Sequence, residues 1–460
     1  MTRARIGLAA VTIAAVCGSL SLSAQAKVSA SEADRLGKDL MPLGGEKAGN
    51  ADGSIPAWDG GMNIEVKLDG TQRHSETYKD VGGADKPLYV ITADNMDQYA
   101  ELLTPGMKAM FKQYPETFKM PVYPSRRTAL APDFVYAATK RNAVNAELAN
   151  GGESLVNAVT GIPFPIPQSG KEVIWNHKTR YRGQSVTRYN TQLAVQTSGS
   201  FVPYKLREDV YFSYSQDGIK TEDLNNVIVY FLQVTTAPPR QAGQVLLVHE
   251  TMDQVAEARR AWLYNPGQRR TRRAPNVAYD NPGTGADGLR TNDQLDMFNG
   301  ATDRYNWKLV GKREMLVPYN AHKLSDSRLK YEDMTMVGHL NPEHTRYEKH
   351  RVWVLDSEVK DDTSHLYKRR TFYVDEDSWT ALQADIYDNR DNLWRVQEYH
   401  QVTVPWTKAV GPAAGTVYDL QSGRYLVMEC SNEEPEFSTK SFGEEHFRTS
   451  NMPRVAANIR

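Results

Sequence analysis

Two stretches near the middle of the chain decide its fold: "NVIVYFLQVTT" at 226–236 and "QVLLVHET" at 244–251. Both are nearly continuous runs of β-branched, aromatic and other apolar residues, which are enriched in β-strands. Each run is short, and only a few residues separate the two. Consecutive short strands with short connections predict an antiparallel meander.

Strand-like runs of the same kind recur on both sides of this pair. They lie at 185–195, 209–215, 260–266, 307–319, 346–358, 366–375, 380–388 and 393–404. Turn sequences such as "YNPGQ", "DEDS" and "DNRDN" separate them. Ten or more antiparallel strands curl into a barrel or a deep half-barrel rather than lie flat. We therefore predict a large curved antiparallel sheet over residues 171–405, in a fold of the α+β class that is mainly β.

The residues on either side of this sheet predict a different organisation. Residues 27–170 predict a strap and helices that pack on the sheet, with helical patterns at 31–40, 94–103, 105–114 and 132–148. Within "GIPFPIPQSG" at 161–170, three prolines at alternate positions favour an extended segment. Residues 406–460 are less regular and predict a C-terminal extension with a final hairpin at 416–430.

The first 26 residues have the features of a cleaved signal peptide. Arg3 and Arg5 precede an uncharged apolar run, and "AQA" at 24–26 fits a signal-peptidase site. Removing this segment takes away two arginines and no acid, which leaves a net charge near −3. That charge argues against nucleic acid as a partner. Cys430 is then the single cysteine, so we expect neither an internal disulfide nor a cysteine-based metal cluster.

No catalytic motif stands out in the sequence, which has no G-x-S-x-G, H-E-x-x-H or P-loop pattern. The densest histidine group is His339, His344 and His350, whose spacing matches no standard set of metal ligands. These histidines are also explained as ordinary loop and strand positions. We predict a non-enzymatic protein without a cofactor or a bound metal.

Four arginines follow the tight turn in "WLYNPGQRRTRRAP": Arg269, Arg270, Arg272 and Arg273. Because four like charges so close repel one another, they favour an acidic counterpart within or outside the chain. Contact with an anionic headgroup or an acidic partner is one interpretation. Water-facing positions on a hairpin are the other.

Aromatic residues suggest a second kind of site. A curved sheet with large apolar side chains on its concave face can hold an apolar ligand, although the same residues can also fill a core. The candidate ligand contacts are five tryptophans: Trp58, Trp175, Trp262, Trp307 and Trp353.

The glycine-rich stretch "GGEKAGNADGSIPAWDGG" at 44–61 predicts consecutive turns, in which glycine supplies positive backbone angles. "NADG" at 50–53 lacks the alternating oxygen ligands and the terminal glutamate of a calcium loop. Pro56 and Trp58 are typical of a packed anchor, so we predict an N-terminal strap here.

Four long motifs resemble signatures of one family of exported proteobacterial proteins, the DUF1329 family. They are "LMPLGGEKAGNADGSIPAWDGG" at 40–61, "GIPFPIPQSGKEVIWNHKTRYRG" at 161–183, "AWLYNPGQRRTRRAP" at 261–275 and "TNDQLDMFNGATDRYNWKLVGKREMLVPYN" at 291–320. Members are often called outer membrane lipoprotein-sorting proteins because their fold is similar to LolA and LolB. The resemblance implies an incomplete antiparallel barrel whose concave side is covered by helices.

The same resemblance implies a function between the two membranes. It suggests a periplasmic or outer-membrane-associated protein that binds or shuttles a lipid, a lipoprotein acyl chain or another hydrophobic compound. It also suggests an RND-superfamily exporter and a DUF1302-type outer-membrane protein as partners. Two alternatives stay open: an envelope adaptor without a ligand, and a hydrolase acting on a hydrophobic substrate.

Overall fold

The computed structural model describes residues 28–62, 84–274, 279–435 and 438–459, with Thr439 as backbone only. The predicted signal peptide, residues 1–26, lies outside the described residues. Six α-helices are described: α1 Ala30–Ala33, α2 Pro105–Gln113, α3 Asp133–Asn145, α4 Gly170–Thr179, α5 Tyr331–Met334 and α6 Met452–Ala457. Short 3₁₀ turns lie at 96–102, 150–152, 213–215, 221–224, 292–294, 322–325, 444–447 and 449–451.

Strands dominate the rest of the described chain. They are β1 Tyr89–Ile91, β2 Met120–Tyr123, β3 Glu147–Ala149, β4 Ser154–Val156, β5 Ser185–Val195, β6 Tyr204–Tyr211, β7 Val227–Ala237, β8 Val245–Thr251, β9 Arg260–Asn265, β10 Arg270–Arg273, β11 Tyr305–Pro318, β12 Tyr347–Val359, β13 Arg369–Asp375, β14 Ala381–Tyr387, β15 Leu393–Val404, β16 Ala409–Asp419, β17 Tyr425–Cys430 and β18 Ser438–Thr439. All except the β3–β4 hairpin join one sheet. The predicted mainly β fold is confirmed.

The large sheet consists of two antiparallel meanders joined edge to edge. One runs from β5 to β10 and the other from β11 to β17, and β17 pairs with β5 where they meet. β1 and β2 are added beside β12, with β2 parallel to it. Among the described residues, β10 pairs only with β9 and β11 only with β12. The barrel is therefore incomplete, with its gap between β10 and β11.

The chain between these two edge strands explains the gap. Its described part, residues 279–304, is called here the inner segment. It is anchored inside the fold rather than along the sheet edge: Phe298 packs with Ile174 of α4 and Phe372 of β13 in one buried cluster. Gln294 also donates to Gln397 of β15 at 3.2 Å. Since the inner segment passes over one face of the sheet, it separates the strands that would otherwise close the barrel.

The C-terminal residues cover the opposite face of β7–β9. Phe447, Met452 and Val455 form a buried cluster with Leu232 of β7 and Leu247 of β8. The sequence boundary at 405 falls between β15 and β16, which pair along nearly their whole length. The meander thus extends through β17 to Cys430, and β18, which follows it, also pairs with β5.

Residues 28–62 include the predicted N-terminal strap and make close contacts with later parts of the chain. Gly44 has a φ of 110° and lies so close to Pro165 that a Cβ there would overlap the Pro165 carbonyl oxygen. Trp58 donates from Nε1 to the carbonyl of Ala129 at 3.0 Å. The helices predicted at 105–114 and 132–148 correspond to α2 and α3, whereas the helix predicted at 94–103 is a 3₁₀ turn.

Candidate functional site: a cavity on the concave face

Two adjoining cavities lie against the sheet, and the larger one is also lined by the inner segment. The larger has a volume of about 750 Å³ and the smaller about 600 Å³. Both lie within the range of roughly 300–1,000 Å³ that is common for small-molecule sites. Strands β5–β10, β16 and β17 all contribute to the larger one. Eight strands set about 4.8 Å apart could not share so small a space in a flat sheet, so the sheet wraps around it.

Alternate residues of β7 and β8 give the larger cavity an apolar wall. Four of these side chains line it and remain partly exposed: Val229, Phe231, Leu246 and Val248. We call these four residues the apolar strip. The intervening side chains point to the other face and are buried beneath the C-terminal residues: Tyr230, Leu232 and Leu247. Strand alternation therefore leaves one apolar face covered and the other facing an open cavity.

A buried ion group closes the end of the cavity next to α4. The Arg180 guanidinium binds both carboxylate oxygens of Asp296 on the inner segment, one of them at 2.9 Å. Arg182 reaches the same carboxylate at 2.5 Å. Although burial by itself would raise it, the two guanidinium groups hold the pKa of Asp296 well below its usual value. This group ties the chain after α4 to the inner segment.

Glu429 of β17 lies where the two cavities meet and lines both of them. It has a φ of 62°, unusual for a residue with a side chain, at an irregularity in the pairing of β17 with β5. Its Oε1 is 3.6 Å from Arg188, while its Oε2 has no hydrogen-bond partner. Burial, only partly offset by Arg188, raises the pKa of Glu429 to about 7. A strained, buried carboxyl with a free oxygen is typical of functional positions.

Arg290 of the inner segment also lines the larger cavity. It is 5% exposed, its NH1 donates to the carbonyl of Thr291 at 3.2 Å, and its Nε has no partner. No carboxylate of the described residues lies within ion-pair distance of it. Burial lowers its pKa, which reflects the cost of keeping this charge away from water.

The predicted arginine cluster lies at the edge of the same cavity. Arg270 and Arg272 of β10 stand opposite Asn265 and Leu263 of β9, and all four residues line the cavity. Arg273 also lines it, and Arg269 is not among the lining residues. All four arginine side chains are exposed. Their contact with an anionic headgroup or partner stays a prediction.

The five candidate tryptophans occupy packing positions outside both cavities. Trp175 is buried and donates to the carbonyl of Gly152, and Trp307 donates to the carbonyl of Thr302. Trp353 stacks parallel to Trp379, and Trp262 packs edge-on against His249. Trp58 is the strap anchor. Their role as ligand contacts stays a prediction, and the aromatic residues that do line the larger cavity are others: Phe212, Phe231, Tyr264 and Tyr399.

The three histidines of the alternative enzyme hypothesis have separate environments. His339 bonds the Leu340 carbonyl and the Thr117 hydroxyl. His350 of β12 bonds Glu348 and stacks on Tyr319. His344 is partly exposed in the chain before β12.

His350 does lie near two carboxylates that could hold a metal ion, those of Asp375 and Asp377. Arg127 already binds both oxygens of Asp377, at 2.6 and 2.8 Å. One oxygen of Asp375 accepts from Tyr319 and Ser378. Hydrogen bonds from protein donors therefore occupy both oxygens of Asp377 and one oxygen of Asp375. Arg127 supplies the positive charge that a metal ion would bring.

Sequence reasoning missed the residues that line the cavity from inside. Arg188 is one arginine within a strand, Arg290 lies in a segment without clear pattern, and Glu429 lies in a predicted hairpin. None belongs to a motif. The apolar strip could have been predicted from the sequence. Val229, Phe231, Leu246 and Val248 occupy alternate positions in the strand-like runs at 226–236 and 244–251.

The described chain is thus a mainly β protein whose incomplete antiparallel barrel borders two cavities. The model of a family described as "Protein of unknown function (DUF1329)" matches residues 90–453. The chain belongs to this DUF1329 family, which confirms the resemblance of its motifs.

The chain is also similar to individual proteins and solved structures. The chain is 51% identical over 421 residues to an uncharacterized protein of Pseudomonas aeruginosa, with 90% of each chain covered. Among solved structures it is similar to a putative outer membrane lipoprotein-sorting protein domain from Vibrio parahaemolyticus, with a TM-score of 0.44, 14% identity and coverage of 62% of this chain and 99% of that one.

Two further solved structures have comparable scores. A DUF1329 family protein from Desulfovibrio piger has a TM-score of 0.43 and 14% identity, covering 62% of this chain and 97% of that one. A LolA superfamily protein from Nitrosomonas europaea has a TM-score of 0.38 and 13% identity, covering 62% and 99%. Within the described ranges, none of the helices has the length and apolar character needed to cross a membrane.

Proposed function

We propose that this chain is a periplasmic binding or shuttle protein for a hydrophobic compound such as a lipid or an acyl chain. The apolar strip facing the larger cavity is the observation that carries the proposal. Four apolar side chains on adjacent strands remain partly exposed in a cavity, although the other face of the same strands is fully covered. Burying such surface is favourable by about 25 cal/mol per Å², so an apolar ligand would bind there.

Ligand transfer would depend on affinity differences between partners, since the sequence has no P-loop. The predicted signal peptide supports a periplasmic location. Association with the outer membrane belongs to the same proposal, as does cooperation with an RND-superfamily exporter and a DUF1302-type outer-membrane protein. These partners follow from the family resemblance alone.

The two alternatives have less support. An adaptor without a ligand predicts a filled core, whereas this sheet encloses two cavities. A hydrolase predicts a polar constellation in a cavity, and His339, His344 and His350 do not line either one. We therefore propose a non-enzymatic role.

Ligand binding is tested by filling the cavity with a side chain. Val248→Trp places an indole beside the apolar strip, and Val255→Trp places one at a position that is 60% exposed and outside the cavities. We expect the wild type and Val255→Trp to bind the methyl ester of cis-parinaric acid with similar affinity. Val248→Trp should bind it at least about tenfold more weakly, because the strip is occupied.

Native mass spectrometry of gently purified protein gives an independent readout. We expect a noncovalent adduct on the wild type that is lost in Val248→Trp. Absence of both an adduct and probe binding in a folded wild type would contradict the proposed function. Equal probe binding by all three proteins would show that the cavity is not the site.

A further inference from the structure

Arg290 is a buried cation that lacks an anionic partner among the described residues. It is 5% exposed and makes no ion pair, and its Nε has no hydrogen-bond partner. A buried charge is costly unless it is paired. The fold nevertheless makes room for it, because a Cβ on Gly283 would overlap the Arg290 guanidinium. The site is therefore built around this side chain.

The charge around Arg290 is unbalanced. The larger cavity is lined by seven arginines against three acidic residues, so it stays positive even when every acid is ionised. Two of the acids are already paired with arginines: Asp296 with Arg180 and Arg182, and Glu250 with Arg259 at 2.6 Å. The third, Glu429, has a free oxygen. The surplus positive charge attracts an anion.

The apolar strip belongs to the same cavity as this surplus charge. An inorganic anion would satisfy Arg290 and leave the strip exposed, whereas a neutral hydrocarbon would cover the strip and leave Arg290 unpaired. A molecule with an acidic headgroup on a long alkyl chain satisfies both.

Resting on the proposed function, we propose that the ligand is an anionic amphipath whose oxyanion headgroup, a carboxylate or a phosphate monoester, binds Arg290. Its alkyl chain lies on the apolar strip. Arg188, which lies between Glu208 at 2.6 Å and Glu429 at 3.6 Å, borders the headgroup position. Neutral Glu429 can donate a hydrogen bond to the headgroup from its unpartnered oxygen.

The test compares an acidic ligand with its neutral ester, and then two acidic competitors that share one chain length. Binding of cis-parinaric acid and of its methyl ester is measured by fluorescence, and hexadecanoic acid and hexadecyl phosphate compete in separate arms. We expect wild type to bind the acid at least about tenfold more tightly than the ester, the size typical of one hydrogen-bonded charge. The competing arms show which of the two headgroups binds more tightly.

Variants locate the headgroup. Arg290→Gln should weaken binding of the acid about tenfold or more and leave the ester within about twofold. Arg390→Gln removes the same charge on the exposed turn between β14 and β15, outside both cavities, and should change neither. Arg272→Gln tests the edge strand, where we expect a smaller loss of acid binding than in Arg290→Gln. Arg290→Lys, which keeps the charge, should retain part of the preference for the acid.

Two results would contradict the proposed anionic headgroup and leave the proposed function intact. Equal affinity of wild type for acid and ester would do so, even if no Arg290 variant folds. A loss of acid binding in Arg272→Gln but not in Arg290→Gln would place the headgroup at the edge strand instead. If wild type binds neither the acid nor the ester, the proposed function itself fails.

Discussion

At the scale of single residues, buried charges in this protein fall into two kinds. Most are paired, as Arg127 is with Asp377, and hold distant segments together. Glu429 and Arg290 both line the cavity and differ from these pairs: Arg290 makes no ion pair among the described residues, and one carboxylate oxygen of Glu429 has no partner. Paired charges support the fold, and incompletely paired ones mark the place where a ligand would complete the bonding.

Glu429→Gln tests the raised pKa of this carboxyl. Because its pKa rises from 4.5 to about 7 on folding, its contribution to stability is fully present below about pH 4.5 and is lost as the pH rises through 7. Glutamine cannot ionise. We expect the stability of Glu429→Gln relative to wild type to increase between pH 5 and pH 8, by up to about 3 kcal/mol. Urea unfolding at both pH values measures it, and a difference independent of pH would contradict the raised pKa.

Arg127 and its neighbour Arg126 offer a matched pair for the buried ion network. The Arg127 side chain is 2% exposed and binds Asp377, whereas that of Arg126 is 45% exposed and binds Asp85. Arg127→Met leaves the buried Asp377 carboxylate without its ion-pair partner and should cost about 3–5 kcal/mol of unfolding free energy. Arg126→Met should cost less than about 1 kcal/mol. If denaturant unfolding showed a similar loss of unfolding free energy in both variants, burial would not determine how much these ion pairs stabilise the fold.

At the scale of elements, strands were predicted well, whereas the three helices α4, α5 and α6 were missed. β5 and β15 coincide with the predicted runs 185–195 and 393–404, because alternating β-branched and aromatic residues mark strands directly. Helix α4 was missed. All but Lys171 of its residues are buried, so it shows no apolar stripe against a polar face. Only its cap, Ser169, which accepts from the Glu172 amide, was visible in the sequence.

Glycines of the strap test its close packing. Gly44 and Gly53 both have positive φ, but a Cβ would meet Pro165 at Gly44 and nothing within 4 Å at Gly53. Alanine at Gly53 should cost about 1 kcal/mol for the left-handed backbone. Alanine at Gly44 should cost about 2 kcal/mol more, because the strap must move away from Pro165. Thermal or urea unfolding compares the two, and equal losses would argue against a tightly packed strap.

For the whole molecule, the sequence predicted an incomplete barrel but not the order of the strands in its sheet. Local patterns mark each strand, whereas the pairing of β17 with β5 joins residues far apart in the chain. The passage of residues 279–304 across the concave face has no periodic signal, because its side chains bond individually to several strands and to α4. The cavity and its inner arginine follow from that passage, so sequence reasoning could not place them.

We propose that the larger cavity holds a hydrophobic ligand. A crystal structure of the protein soaked with a terminally brominated fatty acid tests it most directly, because the anomalous signal of bromine locates the chain end. We predict a bromine peak beside Phe231 and Leu246, with the carboxylate near Arg290. A bromine peak confined to the outer surface, or an empty cavity in crystals whose soaked ligand binds elsewhere, would contradict the claim.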